Sequence, residues 1–201
     1  MDAEKFTKKS LEVIESCEKL AYEYNNQELT QAHLMYALVT VEDSLIAKLL
    51  TNMGINMDAF TGECEKLVAN RPKVSGGQLF TSPEFSKALI QAEKEAKQMG
   101  DDYISVEHIF LGLLEKADKD IKRVINAYGI TRGKFLEVLA NIRGNRKVES
   151  DNPEDTYDAL NKYGYNLVGR GSRSWIRSSV VTMRSEILSE SCPVRQRTIR
   201  S

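Results

Sequence analysis

Along the first 144 residues apolar positions recur three and four apart, interrupted by short polar stretches, and the whole pattern is written twice. Leu11, Ile14, Cys17, Ala21 and Tyr24 fall on one stripe of a helix, the spacing that a buried face requires. Phe85, Ala88, Leu89, Ala92, Ala96 and Met99 draw a matching stripe farther on. A second helix is predicted from Thr30 in the first half and from Ser105 in the other. A hydroxyl at that place can accept a bond from the unpaired N–H groups of the first turn. Ser105 is followed by Glu107 within that turn, where the helix dipole favours a carboxylate. Leu45, Ile46, Leu49, Leu50 and Met53 predict a third helix that stops at Gly54, and its twin stops at Gly129. A fourth carries Phe60, Cys64 and Leu67 in one half and Phe135, Leu139 and Ile142 in the other.

An offset of 75 residues superposes the halves without a gap between residues 10 and 68. Glu18-Lys19 falls on Glu93-Lys94, Thr30 on Ser105, His33 on His108, Gly54-Ile55 on Gly129-Ile130 and Phe60 on Phe135. The expected fold is therefore all-α, a pseudo-two-fold tandem repeat of two four-helix units over residues 1–144. Repeat 1 covers about 4–70 and repeat 2 about 82–144. "NRPKVSGGQLFTSPE" (Asn70 to Glu84) reads as a flexible connector. After Gly144, "NRKVESDNPED" opens an exposed polar linker that runs to about residue 168.

Charge divides the chain again. Residues 1–168 carry 21 Lys+Arg against 27 Asp+Glu, whereas residues 169–201 carry seven Arg, two Glu and no Lys. The tail holds the single tryptophan and follows neither a helical nor a strand period, so it is expected to be disordered. An arginine-rich arm suggests nucleic acid, but such arms mix Lys with Arg, and no nucleic-acid partner is expected. No apolar run approaches the roughly 18 residues of a membrane span. The start lacks a signal peptide's apolar core, so a cytoplasmic protein is expected. Cys17, Cys64 and Cys192 are too scattered for a disulfide framework or a zinc site. The first two fall on small or apolar positions of the other repeat and read as buried structural thiols.

Candidate chemistry is sparse. His33 and His108 are the only histidines and occupy the same position in both repeats, without a Cys or Asp at ligand spacing. Both read as structural. There is no G-x-S-x-G, no H-E-x-x-H and no G-x-x-x-x-G-K-[ST]. "GITRGKF" (Gly129 to Phe135) is one residue short of that phosphate loop and lacks its hydroxyl. No enzyme, cofactor or metal is expected.

The paired stretches "LTQAHLMYALV" and "ISVEHIFLGLL", with "LLTNMGIN", "DDYISVEH" and "YDALNKYGYNLV", resemble the Clp amino-terminal domain, in the form carried by the ClpB disaggregases. The resemblance covers residues 1–168. It implies a domain that binds unfolded or aggregated polypeptides for ATP-driven threading by AAA+ modules absent here. ATP and magnesium would belong to those modules, and the remainder of such a chain would be a partner. It also implies Thr7, Asp101 and Glu107 as polar substrate-handling positions, beside an apolar groove to which Val13 and Leu89 are assigned. As a fragment the chain is expected to be monomeric. The rival reading is an adaptor or phosphoarginine docking domain of the ClpC and ClpA type. There, glutamates precede both repeat histidines; here Glu107 does, but Ala32 replaces the first. A mobile cap over a channel is a further reading.

The resemblance also accounts for the tail. Codons chosen for Ser174 to Arg200 and read one base out of register spell LDPVIGRDDEIRNLVRILSRKTKNNP, the kind of segment that succeeds the linker in ClpB-type chains. A one-base loss or two-base gain near Gly169 is the expectation. Resequencing the gene should place such a segment in the shifted frame; a shifted frame without it would refute the idea.

Overall fold

Each helix begins where a side-chain oxygen can stand in for missing backbone acceptors. The computed structural model describes residues 3–74, 78–143, 147–148 and 151. A short 3-10 turn at Ala3–Lys5 precedes α1 (Lys8–Glu23), β1 (Glu28–Leu29), α2 (Gln31–Thr40), α3 (Leu45–Asn52) and α4 (Met57–Ala69). Then come β2 (Phe80–Thr81), α5 (Pro83–Met99), α6 (Val106–Glu115), α7 (Lys119–Ala127) and α8 (Arg132–Arg143). Thr7, Ser44, Asn56, Ser82 and Asp118 each accept the N–H three residues on. The stops at Gly54 and Gly129 hold left-handed backbone, φ 80° and 63°. The ends of α1 and α5 match as well, with Asn25 at φ 56° and Gly100 at φ 72°. The tandem pair of four-helix units is the architecture observed.

The repeats are interlocked by a feature too short to announce itself in the sequence. The stretch leading into each first helix pairs with the other repeat. Phe80 and Thr81 lie parallel to Glu28 and Leu29, and Phe6 forms the matching parallel bridge to Ile104. The backbone bonds repeat too: Ser82 donates to the Leu29 carbonyl at 2.8 Å, and Thr7 to that of Ile104 at 3.1 Å. Two-residue pairings carry no legible period-2 signal.

At the centre, α2 and α6 are buried along nearly their whole length. Gln31 closes the junction: its amide nitrogen donates to the carbonyls of Glu84 (2.9 Å) and Lys116 (2.8 Å), and its oxygen accepts the Asp118 N–H at 2.8 Å. Phe110 packs on Phe135 with centroids 4.6 Å apart, and Phe60 meets Tyr128 edge-on at 5.0 Å. Cys17 and Cys64 are buried, and burial pushes both thiols up, Cys64 to about 12.

Of the polar stretch after Gly144 the structure describes residues 147, 148 and 151: Lys147 and Asp151 are exposed, but Val148 is fully buried. One apolar residue among charged neighbours generates no period, so its burial is invisible to pattern reading. The remainder of that linker, residues 152–168, and the tail from 169 to 201 with Cys192 lie outside the described residues.

Gly112 marks a close helix contact. A Cβ there would come within 2.4 Å of the Ala88 carbonyl oxygen and 2.7 Å of the Ala92 nitrogen, so α5 lies directly on α6. Gly112→Ala is expected to cost about 1–3 kcal/mol in urea denaturation, since only a backbone shift makes room. An unchanged midpoint would show that the two helices are not held at this separation.

Candidate functional site

The site grows from the turn between α5 and α6. Gly100 reverses the chain after α5, and Asp101 then reaches the histidine of α6. His108 Nδ1 accepts the Ser105 N–H at 3.1 Å, which leaves the ring proton on Nε2, donated to Asp101 Oδ2 at 2.9 Å. The first repeat is built alike: His33 Nδ1 accepts the Thr30 N–H at 3.2 Å, and Nε2 faces Asn26 Oδ1 at 3.1 Å. Both histidines are buried helix-start residues with both nitrogens engaged. Burial first, then the positive charge of Arg71, lowers His33 to about 4. Among the described residues no group of His, Cys, Asp and Glu could hold a metal ion.

A carboxylate where the first repeat has an amide changes what gathers around it. Besides His108, Asp101 accepts the guanidinium of Arg143 at the end of α8 and the N–H of Val148 at 2.9 Å. Burial alone would raise its pKa, but these three donors and the charge of Arg143 outweigh it and hold the group at about 2. Glu107 lies beside it with no exposure, and neither carboxylate oxygen has a hydrogen-bond partner among the described residues. Arg143 Nη1 approaches it to 3.8 Å. The offset partners of Glu107 and Arg143 are Ala32 and Val68, so this charged cluster belongs to the second repeat alone.

Thr7 joins from the other repeat. Its hydroxyl caps α1 and meets Ser10 Oγ at 3.0 Å, while the bonds Thr7 N to Ile104 O and Ile104 N to Lys5 O (2.7 Å) clamp this edge to the turn that carries Asp101. Thr7, Asp101 and Glu107 thus share one edge of the molecule. Val13 lines a narrow crevice with Val106, the neighbour of Glu107, whereas Leu89 sits in the buried face of α5. All five lie beneath the surface, none more than 9% exposed. Sequence reasoning missed Arg143 and Val148. The one available signal was compositional: residues 1–168 use 16 Lys and only five Arg, and a planar, five-donor guanidinium is the cation that suits buried carboxylates.

A separate cleft of about 490 Å³ opens at the inter-repeat junction, lined by Glu28, Arg71, Glu84, Asp118 and Asp120 among others. Its arginine is held by its own wall, at 3.0 Å from Asp120 and 3.8 Å from Asp118.

Comparison with known proteins gives a consistent answer. The family described as the Clp repeat (R) N-terminal domain matches residues 5–128. Chaperone protein ClpB of Clostridium tetani is 40% identical over 173 residues, covering 84% of this chain and 20% of that protein. ClpB of Nitratidesulfovibrio vulgaris is 41% identical over 174 residues with the same coverage. The chain therefore spans about a fifth of the length of these relatives. Among solved structures, the Hsp104 N-terminal domain of Candida albicans superposes with a TM-score of 0.67 at 20% identity, covering 75% of this chain and 99% of that one.

Two outcomes test this geometry. His33 binds its proton more weakly folded than unfolded, so its contribution is complete above about pH 6.5 and is lost as pH falls toward 4. Unfolding near pH 5 should release no proton at this site but take up about one, and His33→Gln should abolish that uptake in a pH series of urea melts. Arg143→Met strands two buried carboxylates and is expected to cost about 3–5 kcal/mol. A loss below about 1 kcal/mol would mean the cluster is not held as described.

Proposed function

The chain belongs to the Clp repeat N-terminal domain family, and from that premise we propose that it is the substrate-capture domain of a ClpB-type chaperone. On this reading it holds unfolded or aggregated polypeptide for AAA+ modules that lie elsewhere in such proteins, where ATP and magnesium act. Residues 1–144 form the domain, and residues 145–168 link it to those modules. The matched family domain is not a catalytic one. Ser105 Oγ does lie 2.9 Å from His108 Nδ1, and His108 Nε2 lies 2.9 Å from Asp101, but Ser105 and His108 have no exposure, so this row starts a helix rather than meeting a substrate.

The observation that supports a binding role is Glu107. Among the described residues this carboxylate has no exposure and no hydrogen bond, only the Arg143 guanidinium at 3.8 Å, and a buried group so thinly satisfied calls for an explanation that a binding role supplies. It lies next to Thr7 and Asp101 on an edge already organised by parallel backbone pairing between Phe6 and Ile104. Such an edge suits an extended chain, which offers main-chain groups whatever its sequence. Val13 lines the crevice beside this edge with Val106, and Val13 and Leu89 are the residues assigned to the apolar groove. The docking alternative draws on the same Glu107, but its first-repeat counterpart is Ala32, and Arg143 already supplies a guanidinium.

Calorimetric titration with a permanently unfolded polypeptide tests the reading. Weak binding is expected, reduced at least about fivefold by Glu107→Gln, a fold-change worth about 1 kcal/mol. The same substitution should leave the melting temperature equal to or above that of the parent, because it removes a buried charge. Binding of free phosphoarginine with no binding of the polypeptide would overturn capture in favour of docking.

A further inference from the structure

Val148 is fully buried yet belongs to no helix or strand, and the bonds that hold its surroundings are of an unusual kind. The Val148 N–H donates to Asp101 Oδ1 at 2.9 Å, and the Val148 carbonyl accepts the Asp102 N–H at 3.2 Å. Farther along, the Asp151 carbonyl accepts the Lys8 N–H at 2.9 Å. All three use the main chain of the segment, which any polypeptide possesses. Among the described residues the segment's side-chain ion pair, Lys8 to Asp151 at 2.9 Å, is exposed at both ends and therefore weak. The seat itself is made of Asp101, the turn residue Asp102 and the first residue of α1, with Glu107 behind them.

We infer that Lys147-Val148 and Asp151 occupy the polypeptide-binding edge from within the chain, and that an extended segment bearing an aliphatic side chain takes their place when substrate binds. This rests on the capture reading and gives it a ligand geometry: main-chain bonds to Asp101, Asp102 and Lys8, with one aliphatic side chain in the Val148 seat. The first repeat shows what a permanent version looks like. There the offset partner of Val148 is Lys73, exposed rather than buried, and the stretch is fastened by Asn26 Nδ2 to the carbonyls of Arg71 (3.3 Å) and Pro72 (3.1 Å). It is also bracketed by α4 and α5, and Val74 bonds to Asn25 at 2.8 Å. In the second repeat the amide of Asn26 is replaced by the carboxylate of Asp101, which donates nothing to a passing carbonyl and so accepts an incoming N–H instead. Being tethered, the internal segment competes at an effective concentration on the order of millimolar, which makes affinity in the intact chain weak.

The full chain, its Val148→Asp variant, and a Lys8→Cys/Asp151→Cys variant are titrated with two probes. One is a synthetic peptide of residues 145–153; the other is a reduced, carboxymethylated polypeptide that cannot fold. Val148→Asp is expected to bind both about tenfold more tightly than the parent. The double-cysteine variant should bind neither when oxidised and regain parental binding when reduced, which guards against a Val148→Asp chain that fails to fold. If the 145–153 peptide binds the variant but the unfolded polypeptide binds no form, the internal occupant stands and capture fails. If the polypeptide binds the parent, Val148→Asp and the oxidised chain equally, capture stands and this inference is overturned.

Discussion

One buried carboxylate sets the terms for the second half of the molecule. Asp101 must satisfy donors that arrive from three separate stretches: the imidazole of α6, the guanidinium at the end of α8, and the backbone of Val148. An ionised carboxylate accepts all three and donates to none, so each arrival further stabilises its charged form. That is why the group stays ionised despite burial. It also makes α6, α8 and the segment around Val148 mutually dependent, since removing one donor weakens the seat of the others.

The first repeat shows how little sequence change this arrangement needed. Asn26, Ala32, Val68 and Lys73 stand where the second repeat has Asp101, Glu107, Arg143 and Val148. Three apolar or neutral choices in the core become two acids and an arginine, on the same helices with the same histidine caps. The first unit is an amide-fastened structural half, and the second carries buried charge that contributes poorly to stability. Duplication and then specialisation of one copy is the simplest physical reading of that contrast. The interleaved lead-in stretches tie the two halves together: Phe6 and Thr7 belong in sequence to one repeat and pair with the other.

Most of the architecture was legible before any coordinates. Helix stripes such as Leu11 to Tyr24, the hydroxyl starts at Thr30 and Ser105, and the glycine stops at Gly54 and Gly129 are local signals, and each element lies where its signal placed it. The histidines read as structural from their repeated position, and their bonds make them so. The site was only half legible. Glu107 and Asp101 could be named, but their burial depends on Arg143, more than 35 residues away in sequence, and on a lone valine in a polar stretch. Long-range ion pairing and single-residue anchoring leave no periodic trace, so pattern reading placed Val148 in solvent with its neighbours.

The most direct test of the account is to map amide shifts by NMR as an unfolded polypeptide is added to the full chain. Capture at this edge predicts perturbations concentrated at Lys5 to Lys8, at Gly100 to Ser105 and at Val148. Shifts centred instead on Arg71, Asp118 and Asp120 would place binding in the inter-repeat cleft and contradict it.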